Sequence, residues 1–206
     1  MNEMTAVGFS PSAWLGRIPG VAYVLVVLLA IFASLSPGFA SAANVMNVLL
    51  QSSVMLLLAL PMTFIIMTEG LDLSIGAVLT LGSIVLALVA VATENLPVSI
   101  LAGICACVAM GLLNGVIIAR LDIPPFVATL GTLGIAQGLC LVLTDGQSVV
   151  GLPSDIVWFY SGTLFGVPVP LILGAVAYAA MHVVLYHTRL GTYIPVPGID
   201  PDAYAQ

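Results

Sequence analysis

Apolar residues run along this chain in long blocks, broken by short polar or proline- and glycine-bearing stretches. Six blocks stand out, at about 19–35, 45–67, 73–92, 98–119, 126–143 and 169–186. Each is close to the ~20 residues that carry an α-helix across a bilayer and well beyond the ~9–11 of a barrel strand. The breaks are punctuated as helix ends should be. Ser36-Pro37-Gly38 closes the first block. Pro124-Pro125 stops the fourth and restarts the chain, because proline is tolerated in a first helical turn. The pattern predicts an all-α polytopic membrane protein of about six transmembrane helices. It forms a single transmembrane domain over 1–206, with 1–18 and 187–206 as a leading and a trailing segment.

Composition agrees. Of 206 residues 61% are hydrophobic and 6% charged, against about 25% charged in soluble domains. The acids are scattered singly, so the net charge of −6 marks no basic partner. With no lysine and only Arg17, Arg120 and Arg189, the chain has no basic patch for nucleic acid. Those arginines orient the helices. Arg17 precedes the first run, Arg120 follows the fourth and Arg189 follows the sixth. With six crossings all three lie on one side, which the positive-inside rule makes the cytoplasm. Both termini and the turn at 68–74 are then cytoplasmic, while the loops at 36–44, 93–97 and 144–168, free of Arg and Lys, face out.

Cys105, Cys107 and Cys140 lie within apolar runs and read as small core residues. Two residues apart on a helix, Cys105 and Cys107 point about 200° from each other and cannot grip one metal. His182 and His187 read as interfacial anchors with Tyr186 rather than a metal pair. The chain therefore offers no metal site. Gly111 and Gly115, and Gly134 and Gly138, have the G-x-x-x-G spacing that lets helix backbones approach, and predict packing within one bundle.

Polar residues beside or inside apolar runs are the candidate chemistry, since an acid at a helix centre costs roughly 2.5–3.5 kcal/mol in lipid. Thr68-Glu69-Gly70-Leu71-Asp72-Leu73-Ser74-Ile75-Gly76 sets two carboxylates between two spans. Asp72 suits a cap of the third span, accepting from the amide of Ser74 or Ile75. The same segment suits a broken-helix element beside a permeation path. The two readings are compatible. Asn114 needs a partner on another helix, or a solute. Thr129, Gly131 and Thr132 give the fifth span a small, weakly polar face, either back-bonded within the helix or lining an aqueous path. Gln137, on the same span, should face protein or a cavity.

These residues carry a resemblance. Met62–Gly76, read as Met-Thr-Phe-Ile-Ile-Met-Thr-Glu-Gly-Leu-Asp-Leu-Ser-Ile-Gly, resembles the signature of monosaccharide ABC-transporter permeases of the ribose type. That family usually has Thr-Gly-Gly-Ile-Asp-Leu-Ser-Val-Gly, so Glu69 stands where its first glycine does. Gly111-Leu112-Leu113-Asn114-Gly115 followed by Ile123-Pro124-Pro125-Phe126-Val127-Ala128-Thr129-Leu130-Gly131-Thr132 resembles the second signature, and Gln147–Pro153 the external loop. The resemblance covers roughly 44–194. It implies a permease subunit of an ATP-driven importer for a ribose-like sugar in the bacterial inner membrane, working by alternating access. The implied partners are a cytoplasmic ATP-binding subunit, a periplasmic sugar-binding protein and a second permease copy. It implies that Glu69, Gly70, Asp72, Ser74, Gly76, Asn114, Pro125, Phe126, Thr129, Gly131, Thr132 and Gln137 border the solute path. Gly191, Tyr193, Asp200, Asp202 and Ala203 are the expected ATPase-coupling residues. No cofactor is expected on this chain, which has no lysine and hence no P-loop; ATP would be hydrolysed by the partner.

The chain also departs from the family. Members commonly exceed 300 residues, so this one is expected to be a truncated or split permease. Pro195 and Pro197 interrupt the stretch that is Gly-x-Tyr-x-Tyr-Ala-x-Gly elsewhere, and Asp200-Pro201-Asp202 reads as a helix start at the very end of the chain. Two alternatives stand beside the importer: a proton-coupled secondary transporter using Glu69 or Asp72, and a non-transporting permease remnant. An intramembrane enzyme is not indicated, since the chain has neither G-x-S-x-G nor H-E-x-x-H.

Overall fold

The computed structural model describes residues 19–192 and 194. Its long elements are α1 (Gly20–Leu35), α2 (Ala42–Met67), α3 (Ile75–Thr93), α4 (Leu96–Leu121), α5 (Pro125–Thr144) and α7 (Val169–His187). Between α5 and α7 lie a short helix, α6 (Ser154–Ser161), and a two-stranded antiparallel hairpin, β1 (Thr163–Leu164) and β2 (Val167–Pro168). A last turn, α8, spans Arg189–Thr192. The six apolar runs thus became the six long helices. By length and composition α2, α3, α4, α5 and α7 can each cross a membrane. At 16 residues α1 is about 24 Å long, short of a ~30 Å hydrocarbon core.

The chain divides into two compact units within α2. In the first, up to Val48, Phe32 and Phe39 stack at 5.7 Å. Ser41 caps the start of α2, its Oγ accepting from the Asn44 amide at 3.2 Å and donating to the Gly38 carbonyl at 2.7 Å.

The second unit, from Leu49, is built around α3, which packs most extensively on α4 and next on α5. Its core is Ala77, Leu81, Met110, Ala136 and Cys140. The close approach of α3 and α4 is made by Gly82 and Gly103. A Cβ on Gly103 would stand 2.8 Å from the Gly82 carbonyl oxygen and 3.0 Å from Leu86 Cβ. A Cβ on Gly82 would run into Cys107 Sγ. Cys107 in turn sits 3.6 Å from the Val78 carbonyl, a weak S–H contact across the same seam. Here the glycine expectation fails. Gly111, Gly115, Gly134 and Gly138 all face open space, with nothing near the position a Cβ would take. The G-x-x-x-G spacing permits close approach but does not choose which faces meet.

The loop at 144–168 also holds more structure than expected. α6 and the hairpin are tied together by the Gly162 amide donating to the Trp158 carbonyl at 2.7 Å, and the Val169 amide to the Gly162 carbonyl at 3.0 Å.

Candidate functional site

The turn between α2 and α3 is where sequence and structure concentrate polar groups. It begins as a helix stop. The Glu69 amide donates to the Ile66 carbonyl at 3.0 Å and the Gly70 amide to the Ile65 carbonyl at 2.9 Å. This paired closure needs a left-handed residue at its centre, and Glu69 supplies it at φ 57°. A glycine takes that conformation without strain, so Glu69 occupies a position whose backbone favours glycine.

The chain then turns into α3 through Asp72. Asp72 Oδ1 accepts from the Ser74 amide at 2.7 Å and from Ser74 Oγ at 2.6 Å. The expected bond from the Ser74 amide to the Asp72 carboxylate is present, closing a turn just ahead of α3, whose N-cap is Ser74. Ser74 is fully buried. Because its hydroxyl proton goes to Asp72, its oxygen is left to accept, and Asn114 Nδ2 donates to it at 3.0 Å from the far end of α4. A directed chain results, Asn114 to Ser74 to Asp72, with the negative charge at its end. Asn114 is itself buried, and its Oδ1 has no hydrogen-bond partner.

A second staple comes from α5. Thr129 Oγ1 accepts from the Leu73 amide at 3.1 Å and lies 3.2 Å from the Leu71 carbonyl and 2.9 Å from the Pro125 carbonyl, either of which can take its proton. Thr132 Oγ1 donates to the Thr129 carbonyl at 3.1 Å. The loop backbone at 71–73 is therefore held by a side chain 56 residues away in sequence. The side chains of Leu71 and Leu73 are exposed, but the Leu73 amide finds its acceptor in the buried Thr129 hydroxyl.

The structure thus brings Ser74, Asn114, Thr129 and Thr132, all buried, together around the turn with the half-buried Asp72, while Gly70 packs back on Ile65 of α2. It places other expected residues elsewhere. Glu69 and Phe126 are exposed, and Gly131 lies off the buried Thr129–Thr132 face. Pro125 opens α5. Gly76 and Gln137 line a separate recess of about 370 Å³ between α3 and α5, shared with Ala77, Thr80, Cys140 and Leu141. Thr80 was missed in the sequence, though its spacing of four from Gly76 puts it on the same helix face. The backbone roles of Leu71 and Leu73 had no sequence signal. Thr80 Oγ1 donates to the Gly76 carbonyl at 2.9 Å. Gln137 makes no hydrogen bond among the described residues.

Toward the end of α7, His182 packs against Tyr186 at 4.7 Å and His187 at 5.9 Å between ring centroids. Gly191 lies half-buried in α8, whereas Tyr193, Asp200, Asp202 and Ala203, with Pro195 and Pro197, lie outside the described residues. No group of three His, Cys, Asp or Glu side chains able to hold a metal occurs among the described residues.

Residues 44–205 match the family model described as "Branched-chain amino acid transport system / permease component". The chain is 37% identical over 200 residues to the ribose import permease protein RbsC of Escherichia coli K12, covering 94% of this chain and 62% of that protein. It is 34% identical over 177 residues to the D-allose transport system permease protein AlsC of the same strain, covering 85% and 54%. Against the ribose import permease protein of Bacillus subtilis it is 36% identical over 171 residues, covering 82% and 52%. The chain therefore spans between about half and 62% of the length of these relatives. No solved structure matches it.

Proposed function

The chain belongs to the family of permease components typified by branched-chain amino acid transport systems, and from that membership we propose that it is the permease subunit of an ATP-binding-cassette importer for a monosaccharide. The relatives supporting the sugar reading are named as ribose and D-allose permeases. On this reading the protein sits in a bacterial inner membrane with the 68–74 turn facing the cytoplasm. A separate subunit hydrolyses ATP, a periplasmic protein delivers the sugar, and a second permease copy completes the conduit. The chain itself binds no cofactor.

One observation carries the mechanism. The two segments that resemble the permease signatures meet in a single hydrogen-bonded unit through Ser74, Asn114 and Thr129. Such a unit couples the starts of α3 and α5 to the end of α4, so that movement of one helix is transmitted to the others. Alternating access follows if the ATP-hydrolysing partner binds two arrangements of this unit with different affinity. Gly76, Thr80 and Gln137 border the recess beside it and are the solute-facing candidates, since an unpaired amide in a span is favourable only beside water or a polar partner.

The test is uptake of labelled ribose by a strain without its own ribose permease, with this protein expressed alongside the ATP-binding and sugar-binding subunits. Uptake should vanish when ATP hydrolysis in the partner is blocked. Uptake that survives that block but collapses with a protonophore would instead establish the proton-coupled reading. The geometry gives that reading little support: Glu69 has no partner among the described residues, and Asp72 is engaged by Ser74.

A further inference from the structure

We propose that α6 and the adjoining hairpin form an interfacial anchor, inserting Trp158, Tyr160 and Phe165 into the lipid headgroup region where α5 ends and α7 begins. The proposal requires only that α5 and α7 cross a membrane, and nothing about the solute carried.

The segment cannot leave the membrane surface by much. Nine residues separate the end of α5 at Thr144 from α6, and the hairpin runs directly into α7 at Val169. The eight residues of α6 extend about 12 Å, too short to cross and long enough to lie along an interface. Beyond the exposed Ser154 and Asp155 of its first turn, the segment's outside is mostly apolar, with Ser161 and Thr163 the exposed polar residues. Val157, Trp158, Phe159, Tyr160 and Leu164 are exposed, and Phe165 at the hairpin tip is 97% exposed. Facing water, this patch would be unfavourable, and no charged side chain between Ile156 and Val169 masks it.

The chemistry favours the headgroup region over the hydrocarbon core. Trp and Tyr concentrate where an apolar ring and a polar tip can both be satisfied. Neither the Trp158 indole N–H nor the Tyr160 hydroxyl makes a hydrogen bond among the described residues, so both tips are free for phosphate, carbonyl or water. The absence of Lys and Arg from 145–168 makes the attachment aromatic rather than electrostatic. The indole is also held in place. A Cβ on Gly162 would stand 2.7 Å from Trp158 Nε1 and 2.8 Å from its Cδ1, so only glycine at 162 leaves the ring where it is. Phe159 meets it edge-on at 5.6 Å. Phe165 and Gly166 take φ of 53° and 78°, the left-handed pair of a tight hairpin, and this sets the Phe165 ring at the outermost point.

The protein has two tryptophans, Trp14 and Trp158, so Trp14→Phe leaves Trp158 as the sole reporter. The variant is reconstituted into phosphatidylcholine vesicles whose chains carry bromine either close to the headgroup or deep in the core. Shallow bromine should lower Trp158 emission about two-fold and more than deep bromine, as an interfacial ring requires. Replacing phosphatidylcholine with anionic phosphatidylglycerol should leave that ratio unchanged. Gly162→Ala in the same background should alter it, since the indole must move. A second reporter, Phe165→Trp with both native tryptophans replaced by Phe, should show the same shallow preference. Emission untouched by either bromolipid, or quenched more by deep than by shallow bromine, overturns the proposal. Strong quenching by aqueous acrylamide without bromine quenching would mean that the segment stands in water. Protection from both would mean that protein covers it, and either result overturns the proposal equally.

Discussion

At the scale of single residues, the helix ends of this protein are unusual for their charge. α3, α4 and α5 each finish on an acid in the left-handed region, Glu94 at φ 49°, Asp122 at 56° and Asp145 at 51°, and Glu69 does the same after α2. A left-handed conformation costs a residue with a Cβ roughly 1–2 kcal/mol, and an acid at a helix C-terminus faces the negative end of the dipole. Glu69 carries both costs with no partner among the described residues. Glu69→Gly should therefore stabilise the protein by about 0.5–1 kcal/mol after the extra chain entropy of glycine is subtracted. Thermal unfolding in detergent measures it. An unchanged or lowered midpoint would mean that the Glu69 carboxylate holds a contact of its own.

The buried cluster yields an ordering rather than a single value. Ser74→Ala removes the donor to Asp72 and leaves both ends of the buried Asn114 amide unpaired, which should cost about 2–3 kcal/mol. Asn114→Ala removes an amide whose oxygen is already unpartnered and leaves the Ser74–Asp72 bond intact, so it should cost less. Thr129→Val keeps the shape and deletes the hydroxyl that serves Leu73 and Leu71, at about 1–3 kcal/mol, while Thr129→Ser should recover most of it. Chemical denaturation of the four variants in one detergent gives the ranking. Asn114→Ala proving the more damaging of the first pair would overturn the proton directions assigned here.

At the scale of helices, the seam between α3 and α4 discriminates between glycines. In a helix interior Ala is favoured over Gly by about 1 kcal/mol. Gly111→Ala and Gly134→Ala, which meet open space, should be neutral or stabilising. Gly103→Ala places a methyl group against the Gly82 carbonyl and should destabilise by about 1–3 kcal/mol. Thermal midpoints of the three variants decide, and equal effects would mean that the seam is not where the helices meet. The contrast also marks how far the sequence could be read. Helix spans were legible because apolar run length is a local property, and Pro124-Pro125 marks a helix start through its own chemistry. The Asp72–Ser74 bond was legible because its two ends are two residues apart. Partners across the fold were not: Asn114 finds Ser74 over 40 residues. The G-x-x-x-G pairs misled because spacing describes one helix surface and packing requires two.

At the scale of the whole molecule, the five long spans fix their sidedness by alternation alone. The end of α2, the start of α3, the end of α4, the start of α5 and the end of α7 all fall on one side. That side holds the 68–74 turn, Arg120 and Arg189. The hydrogen bonds agree independently, since Ser74, Asn114 and Thr129 can join only if those three ends are level. The opposite ends agree too, because Val91 and Glu94 share a recess with Gly151, Pro153, Ser154 and Asp155. Both described arginines therefore fall at the cluster's end of the spans, and Glu94, Asp145 and Asp155 at the opposite end. The positive-inside rule then predicts that the cluster lies on the cytoplasmic side. Alkaline phosphatase fused after Asn95 or Gly146 should be active, and after Gly70 or Leu121 inactive. An active fusion at Gly70 would put the cluster on the outer face, where an ATP-hydrolysing partner in the cytoplasm could not reach it, and the proposed coupling would fail with it.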